Sequence, residues 1–88
     1  MSVKMTEYKD INVGDSAELV HTVTEEDVEL FGRLSGDRNP LHFNEEWAKN
    51  TIFGGRIAHG LLTASFVSTV IGMQLPGPGT IYLSQSMK

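Results

Sequence analysis

The feature that most constrains the fold is a helical stretch from about His59 to Met73 that is apolar on nearly every face. Its apolar positions are Leu61, Leu62, Ala64, Phe66, Val67, Val70 and Ile71. A surface helix keeps its apolar residues on one stripe, whereas a helix that is apolar all round must be enclosed by other elements. The run Pro76-Gly77-Pro78-Gly79 ends the stretch abruptly. We therefore expect a central helix enclosed by a sheet.

Only two segments of the chain have the pattern of strands that would cover this helix. Residues 17–24 roughly alternate apolar and polar side chains, and residues 80–87 begin a second strand. Two strands do not cover such a helix, and burying apolar surface stabilises by about 25 cal/mol per Å². The missing cover must come from another copy, another polypeptide or residues absent from this sequence. We expect an incomplete domain or an obligatory oligomer, which a monodisperse, cooperatively folded monomer in sedimentation would contradict.

Length and composition exclude several classes of protein. The chain of 88 residues makes one small domain. It has 11 acidic and 7 basic residues, a net charge of −4 and no basic cluster, so we expect no nucleic-acid binding. It has no cysteine, which fits a cytoplasmic protein, and its N-terminus lacks a signal-peptide pattern. Polar residues interrupt the apolar stretch, so we expect no membrane span.

Local signals predict two shorter helices before the apolar one. Thr24, with Asp27 three residues later, makes an imperfect capping box that predicts a helix over about residues 25–35. Gly36 is the residue type that commonly ends such a helix. Asn44 is predicted to cap a second short helix. The chain between the two helices is thereby free to form a turn.

This turn carries a carboxylate five residues ahead of an imidazole, Asp37 and His42, with Asn39-Pro40 between them. Proline fixes its own φ and moves the preceding residue towards extended geometry. A carboxylate and a neutral imidazole held in this way orient one water through two hydrogen bonds and exchange its protons. The alternatives are a turn-forming aspartate and a structural buried histidine. The joint occurrence of the three features favours an acid–base pair.

The same segment resembles a known family signature. It consists of Phe31, Leu34-Ser35-Gly36-Asp37, Asn39-Pro40-Leu41-His42 and Ala48. These residues are similar to the hydratase-2 signature of the MaoC-like dehydratases, which include (R)-specific enoyl-CoA hydratases. The resemblance continues over about residues 10–88, through Ile57-Ala58-His59-Gly60 at the entry to the central helix and Gln74-Leu75-Pro76-Gly77 at its exit.

The resemblance implies an α+β hot-dog fold, in which an antiparallel sheet wraps around a central helix. Residues 1–88 would be a single MaoC-like domain that lacks the family's C-terminal strands. It implies a homodimer or higher homo-oligomer, or a partner that supplies the missing strands.

The resemblance also implies a reaction, the reversible syn hydration of trans-2-enoyl-CoA to (R)-3-hydroxyacyl-CoA. Asp37 and His42 would activate the water, and which of them delivers the α-proton stays open. The CoA thioester is the substrate, and no metal or organic cofactor is expected. The alternatives are a 3-hydroxyacyl thioester dehydratase acting on acyl carrier protein, and a truncated, non-catalytic subunit that binds acyl thioesters.

Further residues are assigned by the same resemblance, each beside a plainer interpretation. The Gly60 N–H, at the start of the central helix, is the expected oxyanion donor, or else the glycine only permits close packing. Asn39 orients the pair or a substrate amide, or serves the turn. Ser68 adds a hydrogen bond near the site, or bonds its own helix backbone. Residue type alone makes Arg56 a candidate for contact with a CoA phosphate, and the default interpretation is a solvated surface arginine. His59 is expected to shape its loop, since its spacing from the other histidines does not suit a metal site.

Overall fold

The computed structural model describes residues 3–88, and its regular elements are all helical. A short 3₁₀ turn spans Tyr8–Asp10, and four α-helices follow: α1 (Glu25–Ser35), α2 (Pro40–Phe43), α3 (Glu45–Ala48) and α4 (Gly60–Thr69). A π-helical segment, Val70–Gln74, continues α4. The contacts divide the chain into two compact units. One is His21–Ala64, and the other combines the residues up to Val20 with Ser65–Lys88.

Helix α1 begins and ends at the residues that the sequence predicts. The Thr24 hydroxyl accepts from the Asp27 N–H at 3.2 Å, and the Asp27 carboxylate accepts from the Thr24 N–H at 3.0 Å. The capping box is therefore complete, although aspartate replaces the usual glutamate. At the other end Gly36 has a φ of 79° and donates its N–H to the Gly32 carbonyl. The predicted bounds of this helix are confirmed.

Two short helices follow, and each is capped by an asparagine. The Asn39 side-chain oxygen accepts from the Leu41 N–H at 3.0 Å, and Pro40 occupies the first position of α2. The Asn44 side-chain oxygen accepts from the Trp47 N–H at 3.0 Å, which confirms it as the cap of α3. α3 is only four residues long and ends at Ala48, which is fully buried.

Helices α1 and α2 approach closely at a glycine. A Cβ on Gly32 would overlap the ring of Phe43, and it would lie 3.2 Å from the Arg38 guanidinium. The absence of a side chain at this position therefore lets Phe43 of α2 lie against α1. The Arg38 guanidinium in turn lies 4.0 Å from the centre of the Phe43 ring, as in a cation–π contact.

The loop from α3 to α4 returns along α2 and is fixed to it. The Ile57 N–H donates to the Leu41 carbonyl at 3.2 Å, and Arg56 Nε donates to the His42 carbonyl at 2.8 Å. These bonds hold the end of the loop against α2. As a result, His59 and the start of α4 lie beside the turn between α1 and α2.

The two strands expected over residues 17–24 and 80–87 are not formed, since no strand is assigned anywhere in residues 3–88. The expectation was wrong for this chain because strand backbone is stabilised by ladder hydrogen bonds to a neighbouring strand. Within the described residues neither segment has such a neighbour. Near the second segment, the Thr6 N–H donates a hydrogen bond of 3.0 Å to the Pro78 carbonyl.

The central helix itself forms as predicted, one residue later than expected at its start. It runs as α4 and the π-helical segment from Gly60 to Gln74, and it ends before a cis Leu75–Pro76 peptide. Its enclosure is not found within the described residues. Leu62 is buried, but Leu61 is 62% exposed and Val67 is 49% exposed. No helix in the described part of the chain combines the length and apolar character that crossing a bilayer requires.

Candidate active site

His42 is the buried member of the predicted acid–base pair, and its tautomer is fixed. The residue lies on α2 and is 8% exposed. Its Nδ1 lies 2.9 Å from the Ile57 carbonyl oxygen, which only accepts hydrogen bonds. Nδ1 therefore carries the hydrogen, and in the neutral ring Nε2 keeps a lone pair. The histidine can accept a proton at Nε2 without losing its bond to the loop.

Asp37 lies on the exposed turn just after α1, and its carboxylate direction is set locally. One carboxylate oxygen accepts from the Asn39 N–H at 3.1 Å, and the Asp37 N–H donates to the Ser35 hydroxyl at 3.1 Å. That hydroxyl donates to the Phe31 carbonyl at 2.7 Å, so the turn is tied back to α1. These short-range bonds hold an exposed carboxylate in one orientation.

The structure brings Asp37 and His42 together with a third side chain, that of His59. One carboxylate oxygen and one ring nitrogen from each histidine lie within 4.8 Å of one another. Two hydrogen bonds of about 2.8 Å that share one water span a similar distance. The separation therefore suits a carboxylate and an imidazole that hold a single water between them.

His59 is 2% exposed and contacts both members of the pair. Its Nε2–H donates to the Asp37 backbone carbonyl at 3.0 Å. Its ring stacks on that of His42, with centroids 3.9 Å apart and an angle of 31° between the planes. Phe31 covers it with a centroid distance of 4.8 Å. Nδ1 of His59 is buried and has no hydrogen-bond partner in the described structure.

The three side chains have the composition of a metal site, but their arrangement does not suit one. Sequence spacing does not reveal this cluster, because folding brings His42 and His59 into contact. In each ring one nitrogen donates to a carbonyl, which leaves one lone pair per ring and by itself is compatible with metal ligation. Imidazole lone pairs lie in the ring plane, so two stacked rings do not aim theirs at one point as tetrahedral ligation requires. That no metal is used stays a prediction.

A pocket of about 360 Å³ lies against His42. Its lining consists of Val23, Thr24, Glu25, Val28, His42, Glu45, Arg56, Ile57 and Ala58. Arg56 is part of this wall, since its Nη1 lies 3.6 Å from Glu25 in addition to the Nε bond to the His42 carbonyl. Its head group is thus engaged within the wall of the pocket, which favours a structural role over a phosphate contact.

Comparison with known proteins places this geometry in a family. Residues 11–87 match the model of the MaoC like domain. The chain belongs to the MaoC-like domain family. It is 53% identical over 81 residues to an (R)-specific enoyl-CoA hydratase of Rhodospirillum rubrum, covering 92% of this chain and 56% of the relative. It is 46% identical to a 3-hydroxybutyryl-CoA dehydratase of Methylorubrum extorquens, covering 91% and 51%.

A more distant relative and a solved structure extend the comparison. A mitochondrial 3-hydroxyacyl-[acyl-carrier-protein] dehydratase of Arabidopsis thaliana is 35% identical over 88% of this chain and 45% of its own length. The unliganded R-hydratase of Pseudomonas aeruginosa superposes with a TM-score of 0.84 at 46% identity, covering 92% of this chain and 52% of that one. The hot-dog fold class is confirmed by this likeness. The MaoC-like chain spans about half the length of the curated relatives it matches.

The remaining predicted residues of this MaoC-like domain divide into two groups. Asn39 is committed through its side-chain oxygen to the cap of α2, which favours the turn interpretation for that atom. Gly60 is the first residue of α4, and a Cβ there would meet nothing within 4 Å. Close packing within the described residues therefore does not explain this glycine. Ser68 is exposed on α4 in the other compact unit, and its role in the site stays a prediction.

Sequence reasoning missed His59 as a member of this cluster. The sequence predicts only that His59 shapes its loop, because its spacing from the other histidines does not suit a metal site. The two residues that it contacts lie 17 and 22 residues earlier in the chain. One local signal was available. His59 directly precedes Gly60, at the point where the loop ends and α4 begins.

Proposed function

We propose that the protein is an (R)-specific enoyl-CoA hydratase, a hydro-lyase that adds water reversibly to trans-2-enoyl-CoA and forms (R)-3-hydroxyacyl-CoA. The observation that carries the proposal is the Asp37–His42 pair, held within 4.8 Å with the His42 tautomer fixed by the Ile57 carbonyl. The names of the relatives at 53% and 46% identity support the same reaction class.

Asp37 and His42 supply the acid–base chemistry of this proposal. A carboxylate and the unprotonated nitrogen of a neutral imidazole both accept hydrogen bonds, so together they hold and polarise one water. As the water oxygen bonds to the β-carbon, one of the pair takes a proton from it. The pair delivers a proton to the α-carbon from the same face, which gives syn addition. Loss of water from the 3-hydroxyacyl thioester is the same path in reverse.

The thioester carbonyl needs stabilisation, because negative charge develops on its oxygen when water attacks the β-carbon. We assign this task to the Gly60 N–H at the start of α4, where backbone donors are not used by the helix. Such a donor is worth about 3 kcal/mol in a transition state. Asn39 is assigned to orienting the pair through the α2 cap, and Ser68 to a hydrogen bond with substrate. The reaction as proposed uses no metal or organic cofactor.

The proposal includes the state in which the enzyme works. The apolar residues exposed on α4 support a homodimer or higher homo-oligomer, or a partner that covers the helix. The substrate is an acyl-CoA, and the proposed compartment is the cytoplasm, which the absence of cysteine supports.

A second candidate is the same chemistry on acyl carrier protein, which the relative from Arabidopsis thaliana favours. Carrier proteins that are acidic dock on basic surfaces. The sequence has a net charge of −4 and no basic cluster, so it lacks the docking surface that would favour the carrier protein. Parallel assays with crotonyl-CoA and with crotonyl-acyl carrier protein separate the two. A higher kcat/KM on the carrier protein would favour the second candidate.

The experiment that tests the proposal compares wild type with Asp37→Asn in crotonyl-CoA hydration, followed by the loss of the enoyl thioester's ultraviolet absorbance. Asparagine keeps a side-chain oxygen that can accept from the Asn39 N–H, so the turn is retained while the carboxylate is lost. We expect kcat to fall by about 10²–10⁴-fold. Equal rates would remove Asp37 from the mechanism. A folded wild type without activity would favour the non-catalytic subunit.

A further inference from the structure

The His59 side chain makes a separate contact with each member of the pair, and each contact uses a different part of the ring. The edge of the ring, at Nε2–H, donates to the Asp37 carbonyl at 3.0 Å. The face of the ring stacks on His42 at a centroid distance of 3.9 Å.

His59 bonds to the Asp37 backbone carbonyl, the polar group of this residue that is not engaged by a neighbour two residues away. The carboxylate and the N–H of Asp37 are engaged by Asn39 and Ser35, which lie two residues away. The Asp37 carbonyl is instead held by a residue 22 positions later in the sequence. His59 therefore anchors the peptide that carries the carboxylate to the loop before α4.

The stack on His42 limits the rotation of that imidazole. The Nδ1–H bond to Ile57 fixes one point of the ring, and a ring held at one point can still turn about that bond. A flat neighbour at 3.9 Å restricts this turning and so fixes the direction of Nε2.

His59 is itself held rigidly enough to serve as such a support. It is 2% exposed and lies between the rings of Phe31, at 4.8 Å, and Phe43, at 5.5 Å. The Nδ1 atom is buried without a hydrogen-bond partner in the described structure. A phenylalanine would fill the same space without that polar atom, so packing alone does not account for a histidine here.

We propose that His59 is the positioning residue of the acid–base pair: its Nε2–H sets the Asp37 turn, and its ring face sets the plane of the His42 imidazole. The inference rests on the proposed function for its effect on turnover. The two contacts it assigns are testable without turnover. His59 does not itself touch the water or the substrate in this assignment.

Three substitutions separate the two contacts. His59→Phe keeps a flat ring against His42 but has no donor for the Asp37 carbonyl. His59→Gln places an amide N–H near the position of Nε2 but has no ring. His59→Asn is the matched control, because its shorter amide reaches only the position of Nδ1 and replaces neither contact.

The two readouts are NMR signals of the groups that His59 contacts. The Arg38 amide nitrogen belongs to the same peptide as the Asp37 carbonyl, so its shift reports that hydrogen bond. The ring nitrogens of His42 report its tautomer, in which Nδ1 carries the hydrogen in wild type. In His59→Phe we expect the Arg38 amide to shift and the His42 tautomer to be kept. In His59→Gln we expect the Arg38 amide shift to be kept. Without a ring beside it, His42 turns about its Nδ1–H bond and weakens that bond, so its ring nitrogens average between tautomers.

The kinetic expectation follows from the need for precise placement of reacting groups. We expect kcat for crotonyl-CoA hydration to fall by about 10-fold in the phenylalanine and glutamine variants and further in His59→Asn, with KM changed by less than about threefold. The crossed NMR pattern with these losses supports the proposal. Identical NMR changes in the phenylalanine and glutamine variants, or none, would overturn it. An inactive wild type that shows the crossed pattern contradicts the proposed function and leaves the assigned contacts supported.

Discussion

At the scale of single residues, the site depends on bonds that determine where a proton resides. The Ile57 carbonyl fixes the hydrogen of His42 on Nδ1, and the Asn39 N–H fixes one oxygen of Asp37. Both fixing groups belong to the backbone. The backbone therefore sets the directions of these two side chains. A substitution at either position can change the chemistry of the group while the backbone that orients it stays the same.

This arrangement predicts that the structural and chemical roles of His42 can be separated by two amides. In His42→Asn the amide N–H takes the place of Nδ1–H and keeps the Ile57 bond, but nothing replaces Nε2. In His42→Gln the amide lies near Nε2 and leaves the Ile57 carbonyl unpaired, which costs about 1 kcal/mol or more. We expect both variants to lose about 10²–10⁴-fold in kcat.

Stability distinguishes the two variants, and thermal unfolding followed by circular dichroism measures it. The midpoint should fall more in the glutamine variant than in the asparagine variant. If the asparagine variant were the less stable of the two, the assignment of the hydrogen to Nδ1 would be wrong. If it retained full activity, His42 would not be the base.

Residue-scale predictions from the sequence succeeded where the interaction is local and failed where it is not. Thr24, Gly36 and Asn44 act within three or four residues of themselves, so their types and spacing sufficed. The contacts of His59 with Asp37 and His42 cross 22 and 17 residues. Nothing in a single sequence fixes such pairings, since they depend on how the loop before α4 folds back.

At the scale of elements, α1 carries the Asp37 turn, and its N-terminus depends on a charged cap. Asp27 accepts from the Thr24 N–H at 3.0 Å and from His21 Nε2 at 2.7 Å. The His21 hydrogen bond, followed by the Thr24 backbone bond, lowers the pKa of Asp27 below its ordinary value of 3.8. The ionised carboxylate is thus the form that caps the helix.

The lowered pKa of Asp27 predicts a pH dependence for α1. A carboxyl group whose pKa is lower in the folded state contributes stability above its unfolded pKa, and this is lost as pH falls through the folded pKa. We expect the wild-type unfolding midpoint to fall as pH drops below 3.8. In Asp27→Asn this part of the pH dependence should be absent, as measured by thermal unfolding at a series of acidic pH values. An identical pH dependence in both proteins would contradict the assignment.

The helices were predictable as elements, whereas the strands were not. Each helix satisfies its own backbone and has its start marked by a cap or its end by a glycine or proline. Residues 17–24 and 80–87 have strand patterns, but a strand exists only beside another strand. Those neighbouring strands are not among the described residues, so the alternating pattern was not enough for the two segments to form strands. The prediction that the chain is one domain lacking its C-terminal strands stays a prediction.

At the scale of the whole molecule, apolar exposure is the property that remains to be explained. Among the described residues only Val28, Ala48 and Leu62 are buried apolar side chains. Trp47, Leu61 and Val67 are each about half exposed or more, at 50%, 62% and 49%. A protein of this kind gains free energy by covering such surface, at about 25 cal/mol per Å² of apolar area.

We therefore expect wild type to sediment as a homodimer or larger assembly at micromolar concentration. A charged residue on the exposed face of α4 should weaken assembly, because the lysine would lose its hydration when another subunit covers that face. Val67→Lys should accordingly shift the sedimenting mass towards the monomer or broaden the thermal transition. Ser16→Lys, which adds the same charge at an exposed polar position, should change neither. A wild type that sediments as a monodisperse monomer and unfolds cooperatively would show that the exposed face of α4 needs no cover, and the argument for assembly would then fail.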